Sequence, residues 1–508
     1  MTHISEKKKI DLMRYIPAFL IGEIIIVALL WCYKDGINGN DFWWHIKIGE
    51  WIVENGKIPT EGIFSWYGMK EHIPWTAHEW LSEIIFYLMH HYLGSVGVFF
   101  FSMITAVLFI ILLWNNAKQY AKNNPLISGL FFTLLAVVCN MFFYGRPHIF
   151  GFFLLSFELK VLYDFMDNPS TKKIYFLPLI GCLWSNLHGG SSNLSYLLCI
   201  VFLVCAKLEF KLGRVYSKKL EKKAFIKLLL VSIGTVLSVL INPIGLKVLA
   251  FPYTSLGDNL MMKIISEWQA PDAKLIGAVV LYFLPILLLS IGLITEHKEI
   301  RFIDLIVMLM FLYLFFRSAR FIILWYIAAT FYAFRYMPVC KVADITKWWE
   351  KAVTVLCAVA LLGFIGYNIV EISSNVKEGE MVQKVVSDEM MAYIKEDAPQ
   401  RIFNDYNVGE SLIYNDIEVF FDARADMYGT KDILENGLSL LLLEQANPDA
   451  KTSYVDVEGL MKFYDFDGIF VLKVRPLYSY MMSHPETYEL VFEDGTSGYF
   501  KILKTEID

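Results

Sequence analysis

Charged residues are scarce in this chain. Asp, Glu, Lys and Arg make up 19% of its 508 residues, where a soluble chain of this size holds about a quarter. Hydrophobic residues reach 56% and aromatics 16%, with a mean hydropathy of +0.47. These values exclude a disordered or fibrous protein and an ordinary soluble one. Cysteine supplies no framework. Cys32, Cys139, Cys182, Cys199, Cys205, Cys340 and Cys357 lie in or beside apolar runs, and their spacing builds neither a disulfide set nor a C-x-x-C metal site, so they read as small fillers in packed helices. No basic tract with interleaved aromatics is present, which argues against a nucleic-acid partner. There is no internal repeat and no low-complexity tract. No small-residue cleavage site follows the basic start (Lys7, Lys8, Lys9, Arg14). The apolar run behind it is long enough to span, so it reads as a first span rather than a removed signal.

What the chain does have is a series of apolar runs. About eleven spans are expected, near residues 15–33, 94–114, 126–143, 149–165, 174–187, 193–208, 225–241, 275–293, 302–316, 319–334 and 352–370. Charge is split along the sequence. From Glu371 onward about 27 acidic and about 12 basic residues give a balance near −15, so the part before it carries about +9. The expected architecture is a polytopic α-helical membrane domain (1–370) followed by a small C-terminal α/β domain (371–508). Basic loops such as Lys207–Lys223 and Arg335–Lys351 place the N-terminus in the cytoplasm by the positive-inside rule. An odd number of spans then puts the acidic domain outside the cell membrane. In that domain Arg401–Tyr406, Glu418–Arg424, Gly468–Lys473, Tyr488–Glu493 and Gly498–Leu503 read as strands, and Met381–Lys395, Ile433–Gln445 and Val457–Tyr464 as helices.

The expected external edges hold nearly every unusual cluster. They are Asp41-Phe42-Trp43-Trp44-His45, His78-Glu79-Trp80, Arg146-Pro147-His148, Asn186-Leu187-His188-Gly189-Gly190, Asn242-Pro243, Glu267-Trp268, and Arg317 with Arg320. Polar groups from six separate edges on one membrane face imply a shared site there. The first loop, roughly 34–81, is the longest between spans. Its stretch Asp41–Glu54 reads as an interfacial helix, ended by Gly56 and Pro59, and a second helix over about 77–93 leads into the next span. Asp41 and His45, four apart, share a helical face.

Each cluster has a plainer reading. Asp41 suits a general base or an ion ligand, but Asp is also a favoured helix cap. His78 and Glu79 suit proton relay or ion binding, or simple packing of the loop; the second His of an H-E-x-x-H zinc motif is missing. Arg146, Arg317 and Arg320 fork well onto phosphate oxygens, or snorkel to headgroups. Arg317 and Arg320, three apart, are expected on one helical face. His188 between Asn186 and a Gly-Gly pair marks a polar turn. Glu267 offers a second carboxylate or a solvated loop acid. Glu23 sits in mid-span, and Glu158 is expected to pair with Lys160 or to snorkel.

This arrangement resembles the GT-C superfamily of multi-pass membrane glycosyltransferases. The run Asp41-Phe42-Trp43-Trp44-His45, Gly49 and Gly56-Lys57-Ile58-Pro59 is similar to the first-loop pattern of bacterial enzymes related to the protein-mannosyltransferase group. His-Glu-Trp-Leu, Asn-Leu-His-Gly-Gly, Asn-Pro-Ile-Gly, and Asn404-Asp405-Tyr406 with Asp422-Ala423-Arg424 also look like a bacterial GT-C-like subgroup. The resemblance implies a polyprenyl-phosphate-sugar donor, a glycan, lipid or protein acceptor, and inverting transfer with Asp41 as general base. Arg317 or Arg320, with Arg146, would balance the departing lipid phosphate. His78 and Glu79 would act at the acceptor side or hold an ion, and His45, His148, Asn186, His188 and Glu267 would line the substrates. Many relatives carry an acidic pair in the first loop, whereas Phe42 follows Asp41 here, so the sequence itself does not support a metal-dependent variant, and a divalent cation is left open as a cofactor only by the resemblance. A lipid-glycan transporter or flippase and a non-catalytic envelope scaffold are the other readings.

Overall fold

The computed structural model describes residues 16–36, 41–121, 124–249, 266–272, 274, 277, 279–295, 297–337, 347–378, 385–428, 432–447 and 454–503. The N-terminal lysines with Arg14, Cys340, Lys341 and the middle of the 242–272 loop lie outside them.

Each expected span meets a helix. They are Ile16–Tyr33, Trp80–Ala121, Pro125–Phe142, His148–Asp167, Leu177–Leu187, Asn193–Lys207, Lys222–Val239, Leu284–Thr295, Phe302–Arg317, Ile322–Tyr332 and Trp348–Glu378. Among the described residues, Trp80–Ala121, Pro125–Phe142, Gly189–Lys207 and Trp348–Lys377 are long and apolar enough to cross a bilayer by themselves. The protein is thus a multi-pass membrane protein. Lipid accounts for its exposed apolar side chains: Val353, Leu356, Val359 and Leu362 on the Trp348–Glu378 helix face outward. Glu158 and Glu23, both noted in the sequence, are buried here. Glu158 is fully enclosed and lies against Cys199 at 3.9 Å, while Lys160 pairs with Asp164 instead. The expected Glu158–Lys160 pair does not form, because residues two apart point to different sides of a helix. Glu23 is buried, with neither carboxylate oxygen hydrogen-bonded among the described residues.

The first loop folds much as its sequence suggests. Its helix runs Phe42–Asn55 and stops at Gly56, whose φ of 62° lets its amide bond back to the Ile52 carbonyl at 2.9 Å. The second helix begins at Trp80 and continues into the next span through a kink at Gly94 (φ 63°, ψ −167°), a conformation that a side chain would oppose. The two loop helices cross at Gly49. A Cβ there would lie 2.1 Å from the Glu83 carbonyl oxygen and 2.7 Å from the Tyr87 Cβ.

Two hydrophobic cores result. One fills the helical bundle, from Leu29 through Phe152 and Trp184 to Trp325. The other joins the first loop to the C-terminal region: Trp44, Ile48, Ile52, Trp66, Ile73 and Trp75 pack with Phe403, Phe420, Phe421, Leu441 and Phe470. The C-terminal sheet has four strands. Ile402–Asn404 pairs in parallel with Gly468–Leu472, which pairs antiparallel with Ser497–Ile502, and that strand pairs antiparallel with Tyr488–Glu493. Helices Asp388–Asp397, Ile433–Leu442 and Val457–Tyr464 pack with it. A small sheet of Phe210–Leu212, Val215–Ser217 and Ile300–Arg301 joins two expected cytoplasmic loops.

The expected strand Glu418–Arg424 is absent from the sheet. Its apolar residues are fully buried, but its backbone serves the first loop. Val419 N donates to Phe64 O at 2.9 Å, Trp66 N to Val419 O at 3.0 Å, and Ser65 Oγ to Phe420 O at 3.0 Å. Nearby, the buried Arg424 guanidinium binds both Asp422 oxygens (2.8 and 2.6 Å), donates to Ile63 O at 2.8 Å, and covers the Trp75 ring at 5.1 Å.

Gly49→Ala is expected to lower stability by about 2 kcal/mol or more through overpacking. Gly366→Ala, in open space on a helix, should change it by no more than about 1 kcal/mol. Thermal unfolding of both variants in detergent checks the contrast.

Candidate active site

A cavity of about 820 Å³ opens where the first loop, the span ends and the C-terminal region meet. Asp41, His45, His78, Glu79, Arg146, His148, His188, Glu267 and Arg320 all line it. Six stretches far apart in sequence are therefore brought to one place. The lining is mixed: these polar groups share it with Phe152, Leu314, Phe321 and Leu324 from the spans and Leu438, Leu441 and Leu442 from the C-terminal region.

Asp41 stands at the N-terminal end of the Phe42–Asn55 helix, yet its side chain makes no capping bond. Its carboxylate meets Arg146 Nη2 at 2.7 Å. The same guanidinium donates from Nη1 to Glu267 at 3.2 and 3.3 Å and stacks over Tyr144 at 4.7 Å. Burial pushes Asp41 above the ordinary carboxylate range, with Arg146 acting against it. Burial acts the same way on Glu267, but Arg320 and Arg146 together outweigh it and hold that carboxyl below its usual value. Arg320 lies on the Trp268 ring at 4.8 Å and comes within 3.9 Å of Glu267. Ser318 Oγ donates to Glu267 O at 3.1 Å and Ala319 N to Gln269 O at 2.8 Å, so the 266–269 segment is fastened to the turn that carries Arg320.

A second cluster lies one helical turn along from Asp41. His45 Nδ1 is 3.4 Å from Glu83 Oε1 and its Nε2 is 4.0 Å from Glu79 Oε2. His188 Nε2 and His78 Nε2 approach Glu79 Oε1 at 3.2 and 3.7 Å. Ser191 Oγ accepts from Trp184 Nε1 at 2.9 Å and pairs with His188 Nδ1 at 2.6 Å, which turns Nε2 toward Glu79. Burial pushes Glu79 up to about 8, with Asp426 adding to it, and burial holds His45, His78 and His188 below the usual histidine range. His148 donates from Nε2 to Phe142 O at 2.5 Å and faces His188 with ring centroids 6.3 Å apart. Among the described residues, His45, Glu79 and Glu83 form a group that could hold a metal ion.

Two expected site residues do not reach the cavity. Asn186 is a buried brace: its Nδ2 donates to Cys182 O and Ile241 O, both at 2.8 Å, and its Oδ1 accepts from Trp80 Nε1 at 2.9 Å. Arg317 ends its helix and points outward. Ser318 follows in extended conformation (φ −155°, ψ 130°) and Arg320 sits in a separate 3-10 turn, so the two arginines do not share a helical face. The break at Ser318 undoes the three-residue spacing that suggested a pair.

Glu83 escaped the sequence reading; it lies beside His45, four residues after Glu79 on the same helical face, and that spacing was a usable signal. Glu410, Asp426 and Arg475 line the cavity from the C-terminal region and nothing local marks them, whereas Tyr406, also in the lining, belongs to the Asn404-Asp405-Tyr406 run. Glu410 Oε1 accepts from Ala423 N at 3.0 Å, Asp426 accepts from Trp75 Nε1 at 3.1 Å, and Arg475 forks onto Asp405 at 2.6 and 2.9 Å.

No protein-family model matches the chain, and no curated protein does. Among solved structures, the archaeal oligosaccharyltransferase AglB from Archaeoglobus fulgidus, in complex with an inhibitory peptide and a dolichol-phosphate, is similar. The TM-score is 0.53 at 10% identity, over 97% of this chain and 75% of that one. At that identity the likeness speaks for the fold alone, and the fold is AglB-like.

Arg146→Ala is expected to cost about 3 kcal/mol, because it strands two partly buried carboxylates. Adding Asp41→Asn should recover part of that loss, so the double variant falls short of the sum of the single ones. Unfolding of the three variants in detergent measures the coupling, and strict additivity would refute the pairing.

Proposed function

We propose that the protein is a glycosyltransferase that moves a sugar from a polyprenyl-phosphate donor to an acceptor hydroxyl, on the external face of the membrane and with inversion. The observation that carries this reading is the Asp41–Arg146–Glu267 arrangement with Arg320 beside it, set in a cavity lined by both polar and apolar side chains. A cavity of this size suits a lipid headgroup with a sugar. AglB, whose fold the chain shares, holds a dolichol-phosphate in its complex, a lipid phosphate of the class proposed here as the leaving group.

In the proposed reaction the acceptor oxygen attacks the anomeric carbon from the face opposite the phosphate. The new carbon–oxygen bond forms as the bond to the phosphate oxygen breaks, and the lipid phosphate leaves with the bonding pair. Asp41 takes the hydroxyl proton. Its raised pKa brings it nearer to neutral pH, as a general base requires. Arg146 orients that carboxylate. Arg320, held flat on Trp268, meets the negative charge that grows on the phosphate. Arg146 occupies the space between Asp41 and Glu267 and, with Arg320, balances their two charges, so a divalent cation does not fit between these two carboxylates, and no step is routed through one. The apolar side chains that the spans contribute, Leu314, Phe321 and Leu324, would take the first isoprene units. The edge formed by Tyr406, Asn407 and Asp426 would face the acceptor, whether glycan, lipid or protein.

The test uses purified protein in lipid with a panel of polyprenyl-phosphate sugars, following donor consumption and release of lipid phosphate. Asp41→Asn is expected to lower turnover by about 100-fold or more, while the variant stays folded. Turnover that survives in Asp41→Asn would refute the base. Movement of labelled lipid across the bilayer with no sugar transfer would support the transporter reading instead.

A further inference from the structure

The mechanism leaves the second cluster without work. His45, Glu79 and Glu83 are all buried, and one ligand atom from each lies within 4.8 Å of the others. Two carboxyl groups enclosed around one imidazole need either protons or a cation to be stable there. Glu83, only 1% exposed, has one oxygen 3.4 Å from His45 Nδ1, and its other oxygen, Oε2, is buried with no hydrogen-bond partner among the described residues. An acceptor left open inside this cluster marks a missing positive charge. Arg146, the nearby fixed cation, is already divided between Asp41 and Glu267.

The surroundings are built to hold these groups in place. Gly49, one turn beyond His45, brings the two loop helices into backbone contact and so presses His45 toward Glu83. Trp44 packs over the His45 ring at 3.7 Å between centroids. His188, oriented through Ser191 and Trp184, binds the other oxygen of Glu79. Metal-binding carboxylates commonly receive an outer hydrogen bond of this kind. A zinc ion with nitrogen and oxygen ligands near 2.0–2.2 Å sets them roughly 3.3 Å apart. Here one ligand atom from each of the three residues lies within 4.8 Å of the others, so closing on one ion takes side-chain shifts of about 1 Å.

We propose that His45, Glu79 and Glu83 bind one zinc ion, separate from the Asp41–Arg146–Glu267 centre, and that this ion clamps the first-loop helix to the start of the Trp80–Ala121 helix. Zinc is favoured by one imidazole with two buried carboxylates, since zinc takes nitrogen and oxygen ligands, and three protein ligands leave its fourth tetrahedral position toward the cavity that His45 and Glu79 line. The proposal does not depend on the glycosyltransferase reading.

The experiment uses the full chain in detergent. Elemental analysis gives the zinc content as purified. The protein is then stripped with a chelator and titrated with zinc sulfate against a chromophoric competitor, and thermal unfolding is followed with and without the metal. One zinc per chain and a zinc-dependent rise in Tm are expected. Glu83→Gln and His45→Gln should bind zinc about 100-fold more weakly or worse, whereas Asp41→Asn should keep its zinc even where it loses activity. X-ray absorption of the zinc-loaded wild type, which needs no variant, should show nitrogen and oxygen neighbours with an imidazole signature and no sulfur. No zinc beyond background in either preparation, sulfur in the coordination sphere, or undiminished binding in Glu83→Gln would each overturn the proposal.

Discussion

One guanidinium holds the cavity together. Arg146 reaches the Asp41 carboxylate from the first loop on one side and Glu267 from a late loop on the other. These residues are more than two hundred positions apart, and neither carboxylate would be stable at this depth beside the other without a cation between them. The pairing keeps Asp41 out of the helix cap that its position invites, and it brings the Glu267 loop under Arg320 and Trp268. The local charge is then close to balanced, with Arg320 at 3.9 Å from Glu267 and over the Trp268 ring.

The first loop and the C-terminal region depend on each other in a similar way. Ser65, Trp66 and Phe64 bond to the 419–420 backbone, and Trp66 Nε1 donates to Ile402 O at 3.0 Å. Arg424 closes this seam by covering Trp75 and holding Ile63 O. The segment Asn404–Tyr406 therefore serves two ends. Asn404 binds the backbone at Phe420 and Phe421, Asp405 fixes Arg475, and Tyr406 reaches the cavity. Because the second core is shared, the wall contributed by the C-terminal region is positioned by the same packing that holds the Phe42–Asn55 helix and its Asp41.

Much of this was legible in the sequence. Apolar runs long enough to cross lipid show themselves whatever the tertiary context, since each helix must satisfy its own backbone there. The interfacial helix ended by Gly56 was readable from its cap and its aromatics. The polar clusters at one set of span ends were legible too, because charged groups are costly in lipid and collect where they are useful. Local spacing misled where the backbone departs from a regular helix or where a partner lies far along the chain. Arg317 and Arg320 separate at Ser318. Asn186 turns to Trp80 and Ile241, and Glu418–Arg424 gives its backbone to the first loop instead of to the sheet.

The sequence by itself determined the membrane class, the helical segments and which residue types could do chemistry, because each follows from local hydropathy and side-chain character. Only the tertiary structure decided how the charges are used. Whether Asp41 caps a helix or faces Arg146, whether Glu83 is solvated or enclosed beside His45, and whether Asp426 lines a cavity are settled by long-range packing. Burial and charge pairing depend on which distant segments meet, and no window along the chain contains both partners.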